Sequence, residues 1–305
     1  MKVGIFGAGA VGGFYGAMFA KAGFDVAFIA RGRHLRAMKT SGLRVKGIYG
    51  DFVAKGIFSD DAKSVGECDL VLFCVKSQDT ETATVQAKPL VGKKTVFLSL
   101  QNGLDNEVKI ERVLGKGKCL PAFTWIGARI AEPGCVECFS STKPVFGERS
   151  GVESERVRFV KEAFENAGIG FEVSKDIIVD KWLKFCWNVG FNQVTALAGA
   201  TLDAVFENPD ALQLVRDLML ETVAVANAEG VKIVENGLER FFVFKPHFKG
   251  AGTSMYEDVK AGKPTEFEAF SGEVVRRAKK VGVKVPKNGA VYSLLSLADA
   301  VNKAK

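Results

Sequence analysis

The first half of the chain alternates short apolar runs with segments of helical periodicity. Val3–Phe6, Val26–Ile29 and Leu70–Val75 have the length of strands, whereas Ala10–Ala22 and Gln78–Lys88 space their apolar residues as helices do. The run LVLFCV at residues 70–75 is continuously apolar, which is typical of a strand buried on both faces. This alternation predicts a parallel sheet with crossover helices.

Two regions interrupt the alternation. Leu43–Ala54 contains β-like pieces separated by glycine, which predict a hairpin. Lys118–Gly147 is rich in glycine, proline and β-forming residues. We expect this second region to add antiparallel strands at the edge of the sheet.

From about Ser174 onward the apolar spacing becomes helical. The candidate helices there are Ile177–Leu197, Ala211–Glu229, Ser254–Lys260, Phe267–Val281 and Ala290–Ala300. A chain of 305 residues is long enough for two domains. We therefore predict an α/β domain over residues 1–173 and a second, mostly α-helical domain over residues 174–305.

A glycine motif follows the first predicted strand directly. Gly7, Gly9 and Gly12 form GxGxxG within VGIFGAGAVG and open the first helix. The first glycine permits a tight turn, the second a close approach of pyrophosphate, and the third close packing of helix on strand. The motif predicts an N-terminal Rossmann-type dinucleotide-binding domain. Its predicted cofactor-binding residues are Gly7, Ala8, Gly9, Ala10, Val11 and Gly12.

The end of the second strand indicates which dinucleotide binds. NAD enzymes place an acidic residue there to bind the ribose 2′-hydroxyl. Here the strand ends in Ile29 and Ala30 and is followed by Arg31 and Arg33, while the nearest acid, Asp25, lies at its start. A guanidinium suits a 2′-phosphate, so the sequence favours NADP(H) over NAD.

Composition narrows the other function classes. Apolar residues make up 47% and charged residues 25% of the chain, as in globular proteins. The net charge of +7 favours an anionic partner, but basic and acidic residues are interspersed, which argues against a nucleic-acid surface.

Cys135 and Cys138 form a single CxxC without a second pair, so we expect no metal site. The uncharged stretch Val3–Ala20 contains six glycines, unlike a signal peptide or membrane span, and a cytoplasmic protein is expected.

The best candidate for chemistry is the helix around residue 184. Lys184, Asn188 and Asn192 are spaced i, i+4 and i+8 and therefore share one face of a largely apolar helix. Buried polar groups need partners, and a desolvated lysine has a lowered pKa suited to proton donation. The alternative is a snorkelling lysine with two asparagines bonded to nearby loops. The two histidines are weaker candidates, because His34 follows the cofactor arginine and His247 lies in a loop-like segment.

Several segments, in order, resemble those of ketopantoate reductases (2-dehydropantoate 2-reductases). The segment KWLKFCWNVGFNQVTAL at residues 181–197 is similar to the family's helix, in which a lysine precedes asparagines at +4 and +8. Further matches are SMYEDVKAGKPTE at residues 254–266, QNG at residues 101–103 and Lys76 after LVLFCV. With GAGAVG and Arg31, the resemblance covers nearly the whole chain.

The resemblance implies reduction of 2-dehydropantoate to (R)-pantoate with NADPH, a step toward pantothenate and coenzyme A. Lys184 would be the general acid and Glu266 would anchor the substrate hydroxyl. The implied substrate-binding residues are Asn188, Asn192, Ser254 and Asn102, and the further implied cofactor-binding residues are Lys76, Asn102 and Arg31.

Some positions depart from the family pattern near the implied substrate residues. Thr253 replaces the usual Ser or Asn, Tyr256 replaces an aliphatic residue, and Phe241–Gly252 is atypical. Three alternatives therefore stay open: a reductase of another small 2-oxo acid on the same fold, a non-catalytic NADP-binding sensor, and, without a motif to support it, a nucleic-acid-binding module. A small 2-oxo acid is the expected partner, and a homodimer is one assembly to consider.

Overall fold

The computed structural model describes residues 1–243 and 249–303, which fold as two compact units. The first unit comprises residues 1–101 and 105–177, and the second comprises residues 102–104 and the chain from residue 178 onward. The predicted α/β fold, with an N-terminal Rossmann-type part and a helical C-terminal part, is confirmed.

The first unit contains all the strands of the described chain and five of its helices. The strands are β1 (Lys2–Phe6), β2 (Asp25–Ile29), β3 (Leu43–Gly47), β4 (Phe52–Ala54), β5 (Ile57–Ser59), β6 (Cys68–Phe73), β7 (Val91–Ser99), β8 (Cys119–Leu120), β9 (Ala122–Trp125), β10 (Ala128–Glu132), β11 (Cys135–Cys138), β12 (Lys143–Phe146) and β13 (Glu172–Val173). The helices are α1 (Ala10–Lys21), α2 (Gly32–Ser41), α3 (Thr80–Ala87), α4 (Asn106–Leu114) and α5 (Glu155–Asn166).

The largest sheet has the strand order β5-β2-β1-β6-β7-β8, and its neighbouring strands are parallel. Numbered along the chain, this is the 3-2-1-4-5-6 order of doubly wound dinucleotide-binding folds. Phe6 is in register with Ile29 and with Phe73, and Phe73 is in register with Ser99. The loops that follow β1, β2, β6 and β7 therefore leave the sheet at one edge, where ligands bind in such folds.

The two interrupting regions build further sheets. The predicted hairpin in Leu43–Ala54 is confirmed as the antiparallel pair β3–β4. Strands β10 and β11 are also antiparallel, but β11 pairs with β3 in a separate sheet of order β10-β11-β3-β4. β9 pairs with β12 in a third sheet. The expectation that Lys118–Gly147 adds antiparallel strands at the main sheet's edge is wrong, since its strand β8 joins that sheet in parallel.

Helix α1 buries one face against the main sheet and another against the second sheet. Gly12 and Gly16 face the main sheet, where an added Cβ would lie 2.9 Å from Ile5 and 2.5 Å from Phe28. Gly13 faces the second sheet, where a Cβ would lie 3.1 Å from Val136. The uncharged, glycine-rich stretch Val3–Ala20 thus contains strand β1 of the main sheet and most of helix α1, which packs against both sheets.

The second unit is helical. Its helices are α6 (Ile177–Trp187), whose first residue closes the first unit, a π-helical turn (Asn188–Asn192), α7 (Gln193–Ala198), α8 (Leu202–Glu207), α9 (Pro209–Ala228), α10 (Ser254–Lys260), α11 (Ser271–Val281) and α12 (Pro286–Lys303). The predicted long helix over Ile177–Leu197 is confirmed, with the π-helical turn at its centre. Among the described residues, no helix combines the length and apolarity needed to cross a membrane.

Replacing Gly16 by alanine is expected to lower the melting temperature. The new methyl group would lie 2.5 Å from the Phe28 ring and 2.6 Å from Ile5, and such overpacking costs about 1–3 kcal/mol. Gly289→Ala in α12 is the matched control, because in the described structure its Cβ meets no heavy atom within 4 Å. Alanine should stabilise that helix by up to about 1 kcal/mol. Equal melting temperatures for the two variants in thermal denaturation would contradict the enclosed position of α1.

Candidate active site

The glycine turn after β1 is tightly constrained. Gly7 has a φ of +95°, and a Cβ there would lie 2.9 Å from the backbone of Cys74 and Val75. The amides of Gly7 and Ala8 donate to the Ile29 carbonyl at 3.1 and 2.8 Å. β1, β2 and β6 together therefore fix the turn, which only glycine can make at this position.

The space above this turn fits a pyrophosphate. A Cβ on Gly9 would meet no atom of the described residues within 4 Å, so a ligand can reach the backbone there. Gly9 is followed by the first turn of α1, AVGG, which carries no acidic side chain. The first amides of a helix lack intrahelical acceptors and attract anions. Ala8 is buried beneath the turn, while Ala10 and Val11 are half-buried on it.

Arg31 lies at the same edge of the sheet, two residues beyond β2. Its side chain is exposed and donates a hydrogen bond to the Gln86 side-chain oxygen of α3. Asp25 lies at the opposite end of β2. An exposed guanidinium just beyond β2, where the sequence of that strand end carries no acid, fits a 2′-phosphate better than a ribose hydroxyl.

Lys76 follows β6 and is half-buried. Its loop is held by Gln101, a buried residue whose side-chain nitrogen donates to the Val75 carbonyl at 3.0 Å and to the Thr80 hydroxyl at 2.8 Å. The Ser99 hydroxyl donates to the Gln101 side-chain oxygen at 3.0 Å. Sequence reasoning noted Gln101 within QNG but gave it no role.

The second unit holds the candidate catalytic lysine. Lys184 lies on α6, beside the buried residues Leu183, Phe185 and Cys186. Burial lowers the pKa of Lys184 from its ordinary value of 10.5 to about 7. An ammonium with that pKa gives up its proton readily near neutral pH.

Four of the predicted substrate residues form one hydrogen-bonded chain. The Asn192 amide donates to the Asn188 oxygen at 3.3 Å and to the Ser254 hydroxyl at 3.2 Å. The Asn188 amide donates to the Asn102 oxygen at 3.3 Å. Because the Ser254 oxygen accepts from Asn192, the Ser254 hydroxyl hydrogen can be offered to a ligand. Ser254 is exposed, whereas Asn188 and Asn192 are 1% and 4% exposed.

The π-helical turn shapes this chain. An i→i+5 turn inserts one extra residue into a helix and is frequent at functional sites. α9 packs against the turn at Gly190, where a Cβ would lie 2.9 Å from Val215 and 2.8 Å from Met219. The sequence spacing predicted that Asn188 and Asn192 share a face, but the turn itself was not predicted.

Two of the residues that depart from the family pattern, Thr253 and Tyr256, have identifiable contacts at the start of α10. The Thr253 hydroxyl accepts from the Tyr256 amide at 3.3 Å and contacts the Thr195 hydroxyl at 2.7 Å, so Thr253 caps α10. The adjacent Ser254 is therefore not the cap. Tyr256 is two helix positions from Ser254, on roughly the opposite side of α10, and its ring packs over Gly252.

The other sequence candidates lie as follows. Glu266 is buried, 4% exposed, and precedes a short 3₁₀ segment, Phe267–Ala269. A buried carboxylate has to be held by partners. His34 accepts a hydrogen bond from the Gly134 amide at 3.0 Å in the first unit. His247 lies outside the described residues, as does part of Phe241–Gly252.

In the described part of the chain, no three His, Cys, Asp or Glu residues lie close enough together to bind a metal ion. All six cysteines lie within that part and are free thiols. Cys135 and Cys138 are both buried on β11. Burial raises the pKa of the Cys138 thiol to about 11, so it is protonated at neutral pH.

Lys184→Met is expected to raise stability at low pH. The folded-state pKa of about 7 lies below 10.5, so the unfolded chain binds more protons between these values, and stability falls as the pH drops through this window. Removing the ammonium should raise the unfolding free energy on the order of a few kcal/mol at about pH 6, and much less at about pH 10. Thermal melts at both pH values test this. Lys280→Met, on the exposed face of α11, is the control, and equal behaviour of the two variants would show that Lys184 is not desolvated.

Comparison with known proteins identifies the family. The model described as "Ketopantoate reductase PanE/ApbA" matches residues 3–151, and "Ketopantoate reductase PanE/ApbA C terminal" matches residues 176–299. The chain is 32% identical to a 2-dehydropantoate 2-reductase of Pyrococcus horikoshii, over 99% of this chain and 98% of that protein. It is 30% identical to a 2-dehydropantoate 2-reductase of Mesorhizobium japonicum, over 97% of each.

A solved structure agrees with these sequence matches. The PanE/ApbA family ketopantoate reductase of Ralstonia eutropha JMP134 superposes with a TM-score of 0.90 and 32% identity, covering 99% of this chain and 100% of that one. The likeness thus extends over both units of the described fold. The resemblance inferred from the sequence motifs is confirmed, and the chain belongs to the ketopantoate reductase family.

Proposed function

We propose that this protein is an NADPH-dependent reductase that converts 2-dehydropantoate to (R)-pantoate. The observation that carries the proposal is the helix with Lys184, whose pKa is lowered to about 7, followed by the hydrogen-bonded Asn188 and Asn192. The family uses NADPH, and the relatives from Pyrococcus horikoshii and Mesorhizobium japonicum are named 2-dehydropantoate 2-reductases. A proton donor beside a row of amides is what reduction of a 2-oxo acid requires.

The substrate would be held by the chain of polar side chains. Amide and hydroxyl donors suit a carboxylate and a carbonyl oxygen, and Asn102, Asn188 and Ser254 would supply them, while Asn192 donates to Asn188 and Ser254 and orients both. Glu266, buried near the start of α11, would accept a hydrogen bond from the substrate hydroxyl. These donors are preoriented because each bonds to its neighbour, so little ordering remains when the substrate binds.

Cofactor binding is proposed for residues of the first unit and, separately, for Asn102. Gly7–Gly12 would bind its pyrophosphate at the start of α1, and Arg31 its 2′-phosphate. Lys76 and Asn102 would lie toward the nicotinamide. NADPH, when bound, supplies a hydride to the keto carbon.

The protein's own contribution to the chemical step is a proton. As the keto carbon gains hydride, negative charge develops on its oxygen, and the Lys184 ammonium would donate a proton there to give the hydroxyl. The lysine is left neutral, a form that burial favours. It then takes a proton from solvent before the next turnover.

The proposal has three further parts. Residues 1–173 would form the NADP-binding domain and residues 174–305 the substrate and catalytic domain. The protein would act in the cytoplasm on a small-molecule 2-oxo acid, without nucleic acid or membrane. A homodimer is compatible with these roles and is tested by sedimentation of the full chain.

The principal test measures NADPH oxidation with 2-dehydropantoate and with a panel of other 2-oxo acids. Lys184→Ala is expected to lower kcat by about 10²–10⁴-fold while the NADPH dissociation constant stays near that of the wild type. In the wild type, kcat should fall as the pH rises above about 7, because the general acid must be protonated. Lys280→Ala serves as the matched surface control.

The outcomes separate the alternatives. Turnover of another 2-oxo acid in preference to 2-dehydropantoate would replace the substrate and keep the mechanism. NADPH binding without turnover of any member of the panel would indicate a sensor and would remove Lys184 from a catalytic role. Undiminished kcat in Lys184→Ala would contradict the general acid.

Arg31→Ala tests the cofactor preference. Loss of charge-assisted bonds to a 2′-phosphate should raise the KM for NADPH about 10- to 100-fold and leave the KM for NADH nearly unchanged. Arg36→Ala, which removes an exposed arginine on helix α2 directly after Arg31, is the control and should change neither KM. A wild-type protein that already prefers NADH would contradict this role for Arg31.

A further inference from the structure

Lys181 is a second buried lysine on α6, and the proposed reaction does not use it. Its side chain is 4% exposed, and its ammonium donates to the Leu104 carbonyl at 2.9 Å. Burying an ammonium costs several kcal/mol unless it is well hydrogen-bonded. A lysine kept at such a position therefore calls for an explanation beyond packing.

Leu104 ends a short segment, residues 102–104, with an unusual place in the chain. The residues before and after this segment belong to the first unit, whereas the segment itself belongs to the second. We name it the strap. At its centre Gly103 has a φ of +103°, a conformation that favours glycine. The strap is therefore a sharp excursion of the backbone that carries Asn102.

Two side chains hold the strap, one at each end. Lys181 binds the Leu104 carbonyl, and Asn188 donates to the Asn102 side-chain oxygen at 3.3 Å. Lys181 and Asn188 are seven residues apart, about two helical turns, and so project from the same side of the α6 segment. A charge-assisted bond to a carbonyl is stronger than a neutral amide bond, so Lys181 is the firmer of the two anchors.

We propose that Lys181 is a positioning residue for Asn102. Its bond to the Leu104 carbonyl fixes the strap, and the fixed strap keeps the Asn102 carboxamide in line with Asn188, Asn192 and Ser254. The effect on turnover rests on the proposed function, because it acts through Asn102 in substrate or cofactor binding. The effect on the strap itself does not depend on that function.

The first test is hydrogen–deuterium exchange of the full chain without substrate. Lys181→Met keeps the length and apolar stem of the side chain and removes the ammonium. We expect faster exchange at the amides of residues 102–104, with peptides from α9 and α12 unchanged. Lys280→Met, an exposed lysine on α11, should leave the strap at the wild-type rate. Wild-type exchange of the strap in Lys181→Met would overturn the proposal.

The second test is a double-mutant cycle with Asn102→Ala, read as kcat/KM for 2-dehydropantoate. Lys181→Met alone should lower kcat/KM about 10- to 100-fold, since small misplacements of binding groups have effects of this size. In the Asn102→Ala background it should add little, because coupled residues are not additive. Fully additive effects would mean that Lys181 acts on general stability and would overturn the positioning role.

The remaining outcomes also decide the question. If Lys181→Met does not fold, Lys181→Gln, which retains a shorter neutral donor, takes its place in both tests with the same expectations in the same direction. Lys181→Arg, which retains a charged donor, should recover strap protection and most of kcat/KM. A wild-type protein without reductase activity would refute the proposed function, while the exchange experiment would still decide whether Lys181 anchors the strap.

Discussion

The proposed chemistry of this protein depends on the exclusion of water from one ammonium, that of Lys184. Lys184 lies on a helix whose neighbouring side chains are apolar, and this burial brings its pKa to about 7. The same burial penalises the charged form of the folded protein, so the proposed role of Lys184 as a proton donor and the stability of the fold oppose each other. The surrounding core has to be large enough to tolerate the penalty. The packing of α9 against the π-helical turn, close enough to require glycine at position 190, is part of that support.

Around that lysine, polar groups are ordered by one another rather than by the ligand. Asn192 donates to Asn188, and Asn188 donates to Asn102, so these two bonds run in one direction; Ser254 also accepts from Asn192. The cap of α10 is formed by Thr253 instead, which leaves the serine hydroxyl for other use. The glycine turn of the first unit is likewise ordered by the protein itself, because three strands fix its backbone.

The sequence indicated those parts of the fold and site that depend on local periodicity. GxGxxG, the strand–helix alternation and the row of Lys184, Asn188 and Asn192 each lie within a few residues, so their geometry follows from regular elements. The second sheet depended on Gly13 meeting Val136, which are more than a hundred residues apart, and no local signal predicts that pairing. The sequence also did not reveal the π-helical turn, because a single inserted residue leaves the apolar periodicity of the helix almost unchanged. The burial of Lys181 and its bond to the Leu104 carbonyl were not predicted for a related reason, since Lys181 and Leu104 are far apart in the sequence.

Because α1 packs against two sheets, the position of the phosphate-binding turn depends on segments that are distant in the sequence. Strands β3 and β11 are far from the glycine motif in the sequence, yet they form the second sheet, which packs against α1. A helix packed on one face can tilt to admit a bulkier residue, whereas α1 is restricted by contacts on two of its faces. Substitutions at exposed positions of the dinucleotide site, such as residue 31, should therefore disturb the fold far less than substitutions of the packed glycines of α1.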